Sequence, residues 1–361
     1  MEVTTGEQTA AAGSFFAGKR VLVTGHTGFK GSWLSLWLTQ LGAEVHGLAL
    51  IPDTTPALFD QLGLAGMVDH AIGDIRDAAL VDARVRAVQP DLVFHLAAQP
   101  LVLESYADPL TTWQTNVMGT VHLMQALRDL GRPCAAVMIT TDKVYQNREW
   151  HHPYRECDPL GGHDPYSASK AAMEIAVASW RDSFLTADHP VRIATARAGN
   201  VIGGGDWAAN RLVPDIMRAL GAGHRVDLRN PDAVRPWQHV LEPLAGYLRL
   251  AERLAGAQGA QYAQSYNFGP EPRDLRRVRD LVEAALGLWP GSWADMSRPD
   301  QPHEAGLLSL SIEQARADLG FAPRWDFEQT IARTVEWYRG VAQGRDPRAL
   351  TLAQIADFGA P

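Results

Sequence analysis

The sequence has 361 residues, of which 46% are hydrophobic and 20% charged, so it holds enough apolar material for one or two folded domains and too much for a disordered chain. Its net charge of -8 argues against a nucleic-acid groove, and its 2 cysteines are too few for a disulfide framework or a zinc site. No run approaches the ~18 apolar residues of a membrane helix and the polar start predicts no secretory signal, so we expect a cytoplasmic protein without a metal site.

Strand and helix patterns alternate along the first two hundred residues. A short apolar run at 21–24 ends in glycines, and leucines at helical spacing follow it at 32–41. Further strands are predicted at 45–50, 70–75, 91–96, 135–140 and 191–196, with long helices at 109–130 and 166–184. The alternation predicts an α/β fold, a Rossmann-like doubly wound parallel sheet with helices on both faces.

The composition changes after Asn200. A region rich in Arg, Pro and Trp runs to about residue 238, a helix at 239–254 and a strand at 265–268 return to the sheet, and short helices follow. We expect residues 1–17 to form a flexible tail and residues 18–201 with 239–269 to form the dinucleotide-binding domain. Residues 202–238 with 270–361 are expected to form a smaller C-terminal substrate-binding lobe.

A glycine-rich turn separates the first predicted strand from its helix. Glycines in the string Gly-His-Thr-Gly-Phe-Lys-Gly allow a sharp turn and a close approach to a pyrophosphate, while the helix N-terminus offers free N–H groups. The alternative is a purely structural turn. Its position after an apolar strand favours dinucleotide binding, by Gly25, Thr27, Gly28, Phe29, Lys30 and Gly31.

The choice between NAD and its phosphorylated form depends on residues near the second strand. No acidic residue for the adenosine ribose stands at 48–50, and Asp53 is the nearest one. Lys30 is either a contact for a 2′-phosphate or a solvated charge, and Asp74 is either an adenine contact or a turn cap. We expect NAD, because no arginine cluster follows the second strand.

Tyr166 and Lys170 stand four residues apart on a predicted helix, which places phenol and ammonium on one face. There the ammonium would lower the pKa of the tyrosine and let the phenolate act as a base toward a sugar hydroxyl. Only 4 of the 33 basic residues are lysines, namely Lys19, Lys30, Lys143 and Lys170, so a retained lysine is a candidate for a place where arginine would fail. The alternative is chance survival, which we prefer for Lys19.

Several strings together resemble the extended short-chain dehydrogenase/reductase superfamily, and within it the nucleotide-sugar 4,6-dehydratases. They are the glycine turn, Thr141-Asp142 at the end of the fifth strand, and Tyr166 with Lys170. The branch that acts on CDP-glucose is matched further by Thr141 to Trp150, Gly161 to Tyr166, Ala97 to Pro100, Gly203 to Trp207 and Arg235 to His239. The resemblance covers residues 18 to 340.

This resemblance implies an NAD-dependent lyase of deoxysugar biosynthesis. It would convert CDP-D-glucose to CDP-4-dehydro-6-deoxy-D-glucose and water, by oxidation at C4, elimination of the C6 hydroxyl and return of hydride to C6. The alternatives are another nucleotide-sugar 4,6-dehydratase, a 4-epimerase of the same superfamily, or a non-catalytic dinucleotide sensor.

The resemblance also implies the catalytic roles. Thr141 would bind the O4 region, Tyr166 with Lys170 would remove the O4 proton, and Asp142 would protonate the departing C6 hydroxyl. Lys143 stands where the family generally has the glutamate that takes the C5 proton. An ammonium cannot accept a proton, so Lys143 is either neutralised by desolvation, a stabiliser of the enolate, or a structural partner of Asp142.

The remaining site residues and the assembly follow from the same resemblance. A homodimer is expected through the helices at 109–130 and 166–184. For Arg211 and Arg235 the alternative is a surface salt bridge, and for the aromatic residues it is packing. The resemblance assigns cofactor contacts to Asp74, Ile75, Ala97, Ala98 and Gln99, and substrate contacts to Asn200, Arg211, Arg235, Trp207, His239 and His303.

Overall fold

The computed structural model describes residues 14–297 and 306–361. Its strands are β1 (Arg20–Thr24), β2 (Glu44–Ala49), β3 (Asp69–Ile72), β4 (Leu92–His95), β5 (Cys134–Ile139), β6 (Val191–Ala198), β7 (Val201–Ile202), β8 (Val226–Leu228), β9 (Val234–Pro236), β10 (Gln238–His239), β11 (Ser265–Phe268), β12 (Leu275–Arg277) and β13 (Trp293–Asp295).

The α-helices are α1 (Phe29–Gln40), α2 (Leu58–Gln61), α3 (Ala78–Val88), α4 (Val102–Ala107), α5 (Pro109–Trp113), α6 (Gly119–Arg128), α7 (Pro165–Ser183), α8 (Leu212–Gly221), α9 (Leu241–Ala255), α10 (Val278–Leu288), α11 (Glu313–Leu319), α12 (Phe327–Ala342) and α13 (Pro347–Phe358). Within the described residues, none of these helices is long and apolar enough to cross a membrane.

Seven strands form one parallel sheet in the order β11-β6-β5-β4-β1-β2-β3. The chain first winds outward from β1 through β2 to β3, then crosses to β4 and winds the other way. This is the doubly wound topology that the sequence predicts. The crossover leaves a crevice at the carboxyl ends of β1 and β4, where ligands bind in folds of this kind.

The substrate-side elements share a core with one face of the sheet. Trp33 and Trp37 of α1 are buried in the same apolar cluster as Phe358 of α13, and the rings of Trp37 and Phe358 lie 5.8 Å apart. Phe16, within the expected tail, is buried in this cluster as well. The domain boundaries drawn from the sequence remain predictions.

The long helix predicted at 109–130 is interrupted. α5 and α6 are separated by one π-helical turn over Gln114–Met118. The turn directs the buried Asn116 toward the loop after β4, where its side chain accepts a hydrogen bond from Gln99 N and donates to Gln99 O, at 2.8 and 3.1 Å. The two hydrogen bonds to Gln99 thus compensate for the interruption of the regular α-helix.

Candidate active site

The glycine turn between β1 and α1 packs against itself and against the loop after β4. A Cβ added at Gly31 would lie 2.1 Å from the carbonyl oxygen of Gly25, and one at Gly25 would lie 2.7 Å from Ala97 N. Gly25 has φ +74°, which favours glycine. The turn is therefore a cradle that side chains would fill, and it leaves the first N–H groups of α1 facing the crevice, as a dinucleotide pyrophosphate requires.

A cavity of about 2160 Å³ runs from this turn across the carboxyl edge of the sheet. It is large enough for a dinucleotide and a nucleotide sugar together. Nearly every residue predicted for the site lines it: Gly25, Thr27, Gly28, Phe29, Lys30, Gly31, Asp74, Ile75, Ala97, Ala98, Gln99, Thr141, Asp142, Lys143, Tyr166, Lys170, Asn200, Trp207, Arg211 and Arg235.

Thr141, Asp142 and Lys143 follow β5 in a short 3-10 turn. The Thr141 hydroxyl donates to Asp142 Oδ1 at 3.0 Å, and both side chains are buried. Lys143 is exposed at the cavity wall. Its side chain is therefore open to a ligand bound in the cavity.

Tyr166 and Lys170 lie on the first turns of α7. The helix begins at Pro165, is capped by the Asp164 side chain, and is tied down where Tyr166 N donates to Ser105 Oγ at 3.1 Å. Burial, opposed by the Thr141 hydroxyl, raises the pKa of Tyr166 to about 12. The lowered pKa expected for Tyr166 is thus wrong for the protein alone, because burial of the phenol outweighs nearby positive charge.

Lys170 is buried and donates from Nζ to the carbonyl of Ile139 at 3.2 Å. Burial and the charge on Lys30, opposed by Glu174, lower the pKa of Lys170 to about 7. Its ammonium and its neutral amine are thus both accessible near neutral pH. A residue with this property is suited to proton transfer.

Lys30 faces the reaction end of the cavity. Burial and Arg211, opposed by Asp142 and Asp206, lower the pKa of Lys30 to about 8. The charges that act on Lys30 are thus those around Asp142 and Arg211. Its half-buried place in the cavity wall does not fit a freely solvated charge, and a contact to the cofactor stays a prediction.

The adenosine end of the crevice lies beyond β2 and β3. Thr27 Oγ1 donates to the carbonyl of Leu50 at 2.9 Å, which fixes the turn against the end of β2. Asp74 accepts two bonds from the Arg76 guanidinium, at 2.8 and 2.6 Å, and these lower the pKa of Asp74. Both Asp53 and Asp74 line the cavity at this end.

The opposite side of the cavity is lined by residues from 199 onward. Arg211 Nη1 is held by Asp206 Oδ2 at 3.0 Å, and Arg235 lies on β9, half-buried. Asn200, between β6 and β7, has φ 45°, the left-handed conformation that asparagine tolerates. Trp207 donates from Nε1 to Gln61 Oε1 at 2.9 Å, so it both packs and borders the cavity.

Of the two histidines predicted to contact substrate, the structure places only one. His239 does not line the cavity: it is fully buried, its ring lies 5.7 Å from that of Trp33 and 4.8 Å from that of Trp325, and burial lowers its pKa to about 3. It is a packing residue, and its place in a polar motif gave no sign in the sequence that it is buried. His303 lies outside the described residues.

Sequence reasoning missed three buried residues that hold the site. Ser105 fixes the start of α7, Asn116 fixes the loop at Gln99, and Glu174 on α7 accepts from Thr140 Oγ1 at 2.5 Å beside Thr141. Glu174 stands four residues after Lys170, a spacing that placed it on the same helix face. Among the described residues, no group of three or more His, Cys, Asp or Glu is arranged to hold a metal ion.

Comparison with known proteins gives consistent matches over most of the chain. Residues 22–334 match the family model for GDP-mannose 4,6 dehydratase. The CDP-glucose 4,6-dehydratase of Salmonella typhimurium is 46% identical over 351 residues, 96% of this chain and 97% of that protein. The dTDP-glucose 4,6-dehydratase of Streptomyces antibioticus is 33% identical over 335 residues, 88% of this chain and 92% of that protein.

Solved structures match as well. The dTDP-glucose 4,6-dehydratase from Streptomyces venezuelae with NAD bound has a TM-score of 0.75 at 27% identity, covering 91% of this chain and 99% of that chain. The UDP-glucose 4-epimerase of Thermotoga maritima has a TM-score of 0.77 at 20% identity, covering 89% of this chain and 99% of that chain. The second likeness concerns the fold alone.

Proposed function

The chain belongs to the GDP-mannose 4,6 dehydratase family, and we propose that it is the enzyme that converts CDP-glucose to CDP-4-dehydro-6-deoxyglucose and water. The observation that carries the reaction is that Asp142 and Lys143 line the same cavity as Tyr166 and Lys170. A 4-epimerase needs the second pair but has no use for an acid beside a further ionisable residue. The 46% identity to a CDP-glucose 4,6-dehydratase supports the choice of nucleotide.

NAD is the cofactor of the proposed reaction, and the glycine cradle, the open N-terminus of α1 and the acceptors Asp53 and Asp74 fit it. When bound, NAD supplies the reversible redox chemistry at C4 and C6 of the sugar. Because the overall reaction has no net redox change, the protein must retain the cofactor through the cycle. The cofactor contacts proposed for Ile75, Ala97, Ala98 and Gln99 lie along the same wall.

Tyr166 is proposed to accept the proton of the C4 hydroxyl. Its pKa of about 12 keeps it a neutral phenol in the protein alone, so positive charge must assist its deprotonation. Lys170 and Lys30 lie on the cavity wall with it. Thr141 is proposed to hydrogen-bond the O4 region and to direct its proton toward the phenol.

Asp142 and Lys143 are proposed to carry the elimination. A ketone at C4 makes the C5 hydrogen acidic, and Asp142 would protonate the departing C6 hydroxyl so that it leaves as water. Lys143 would either take the C5 proton as a neutral amine or stabilise the enolate as an ammonium. Since Lys143 is exposed in the protein alone, the first role requires the substrate to cover it.

The nucleoside diphosphate is proposed to bind on the lobe side of the cavity. Arg211 and Arg235 would meet the diphosphate charges, with Asn200 beside them and Trp207 toward the pyrimidine. Both guanidiniums are half-buried, so an ion pair there is worth more than one on the open surface.

The decisive experiment is incubation of the purified protein with CDP-glucose and NAD in D2O. We expect a 4-keto-6-deoxy sugar with deuterium at C5. Inversion at C4 without loss of water would select the epimerase, and no turnover of CDP-, dTDP-, GDP- or UDP-sugars would select the dinucleotide sensor. Tyr166→Phe is the matched variant: it should lose turnover while retaining nucleotide-sugar binding in calorimetry.

A homodimer is proposed through the helices beside the active site. Large apolar side chains are exposed on α4, α5 and α7 and on the π-helical turn: Leu103, Tyr106, Leu110, Trp113, Met118 and Ile175. A face of this kind, built from neighbouring helices, supports association of two copies around a two-fold axis.

We also propose a cytoplasmic location, supported by the free thiols of Cys134 and Cys157.

A further inference from the structure

Gly199, the residue after β6, is packed directly against the carboxyl group of Asp142. A Cβ added at Gly199 would lie 1.8 Å from Asp142 Oδ2 and 2.2 Å from its Cγ. The backbone of Gly199 lies outside the left-handed region, so conformational freedom does not explain a glycine here. What the position requires is empty space on the side that faces Asp142.

The Asp142 carboxyl has one satisfied and one unsatisfied oxygen. Oδ1 accepts from the Thr141 hydroxyl, while Oδ2 is buried with no hydrogen-bond partner. A buried carboxylate oxygen without a partner is costly. Because Asp142 and Gly199 both line the cavity, that oxygen is available to a hydroxyl group of a bound sugar.

Gly199 is itself held in place by Gln238. The buried Gln238 Nε2 donates to the carbonyls of Gly199 and Phe268, both at 3.0 Å. Gln238 N donates in addition to the carbonyl of Asn200, at 3.3 Å. The amide thus joins the end of β6 to the end of β11, next to the contact between Gly199 and Asp142. Gln238 belongs to the Arg-Pro-Trp-Gln-His motif, within which the sequence analysis gave it no role of its own.

We propose that Gly199, clamped by Gln238, is a positioning residue for the acid of the elimination step: it provides the space in which the Asp142 carboxyl meets the C6 hydroxyl. The inference rests on the proposed dehydratase function. The three atoms nearest to a Cβ added at this position all belong to the carboxyl group of Asp142, and none to Thr141, Tyr166 or Lys170 of the preceding oxidation. The two half-reactions should therefore respond differently to a side chain at Gly199.

Gly199→Ala is the test. The added methyl group should displace the end of the Asp142 side chain, which moves more easily than backbone. A displacement of about 1 Å is enough to slow a step by ~10²-fold.

In single-turnover experiments with CDP-glucose and NAD, we expect elimination to slow by about that factor while oxidation at C4 stays within several-fold of the unaltered protein. Absorbance at 340 nm should then accumulate. Gly287→Ala on α10, where a Cβ has open space, is the control.

A double-mutant cycle provides the second readout. If Gly199 acts only through Asp142, Gly199→Ala/Asp142→Asn should be no slower in elimination than Asp142→Asn alone. Additive losses, or an unchanged elimination step in a folded Gly199→Ala variant, would overturn the proposal. Should Gly199→Ala fail to fold by circular dichroism, Gln238→Met decides the matter, because loss of the clamp should slow elimination selectively. Absence of turnover in the unaltered protein would instead refute the proposed function.

Discussion

Lys170 occupies a site that disfavours its charged form, and this lowers the stability of the folded protein. Its pKa falls from 10.5 to about 7 on folding, so the unfolded chain binds the extra proton between these pH values. The cost is complete below pH ~7 and disappears as pH rises toward 10.5. Without cofactor or substrate, Lys170→Met should therefore unfold at a higher temperature at pH ~6.5, by a few degrees, with the gap closing near pH ~10.

Differential scanning calorimetry at the two pH values measures this effect. Lys19→Met, at a half-exposed lysine before β1, is the control and should show no comparable gap. Equal unfolding temperatures for Lys170→Met and the unaltered protein at pH ~6.5 would show that burying the charged form of Lys170 does not destabilise the folded protein.

Lys143 is the residue on which the elimination mechanism turns. Lys143→Met keeps the length of the side chain but neither accepts a proton nor stabilises an enolate. We expect oxidation at C4 to persist and elimination to fall by at least ~10²-fold, detected as lasting absorbance at 340 nm in a single turnover. Undiminished exchange of the C5 hydrogen with D2O in this variant would remove Lys143 from the role of base.

Residues with local signals were predictable, and residues with long-range contacts were not. The glycine turn and the Tyr166–Lys170 pair are sequence patterns of short range, and both line the cavity. Ser105 contacts Tyr166 across 61 positions, and Gly199 contacts Asp142 only after β5 and β6 pair. Neither contact leaves a local pattern. His239 was misassigned because a polar residue in a motif says nothing about its burial.

At the scale of elements, a buried ion pair joins α7 to the sheet. Arg197 of β6 donates from Nε and Nη2 to the Glu174 carboxylate of α7, both at 2.9 Å, and from Nη1 to Tyr145 OH at 2.7 Å. Removing one partner leaves an uncompensated buried charge. Arg197→Met should therefore lower the free energy of unfolding by about 3–5 kcal/mol in urea titrations.

Two controls separate this effect from general damage. Glu174→Gln in the Arg197→Met background should restore part of the loss, because it removes the unpaired charge. Arg86→Ala breaks the exposed pair with Asp82 and should cost at most ~0.5 kcal/mol. A loss in Arg197→Met no larger than that of Arg86→Ala would contradict the assignment.

The order of elements was predictable because strand and helix periods alternate, but their ends and interruptions were not. The predicted strand at 70–75 shortens to β3, Asp69–Ile72, and the predicted helix at 109–130 divides at the π-helical turn. Asn116 stabilises the π-helical turn through its hydrogen bonds to Gln99, which lies 17 residues away in the chain. Helical periodicity alone contains no information about that partner.

At the scale of the whole molecule, the exposed apolar face predicts the assembly. Trp113→Glu/Ile175→Glu places charge on α5 and α7, where an interface would have to desolvate it. We expect the mass in sedimentation velocity at micromolar concentration to fall from that of two chains to that of one. Leu288→Glu, an equally exposed apolar residue on α10, is the control. An unaltered protein that sediments as a single chain would contradict the proposed dimer.

The parallel sheet was predictable as a whole, whereas the expected lobe differs in the sequence only by its composition and its division stays a prediction. Its strands pair over two or three residues, such as β9 with β12 and β8 with β13. Pairs this short have no periodicity to detect. The lobe also shares its apolar cluster with α1, so its packing depends on residues more than three hundred positions apart, such as Trp37 and Phe358.

The scarcity of lysine has a practical consequence. Of the 4 lysine side chains, Lys30, Lys143 and Lys170 line the cavity, while Lys19 lies outside it with its ammonium 5.4 Å from the centre of the Phe15 ring. Apart from Lys19, every lysine side chain that an acylating reagent can reach thus belongs to the wall of one chamber. Peptide mass mapping after brief acetylation would report occupancy of that chamber, with Lys19 as the internal reference.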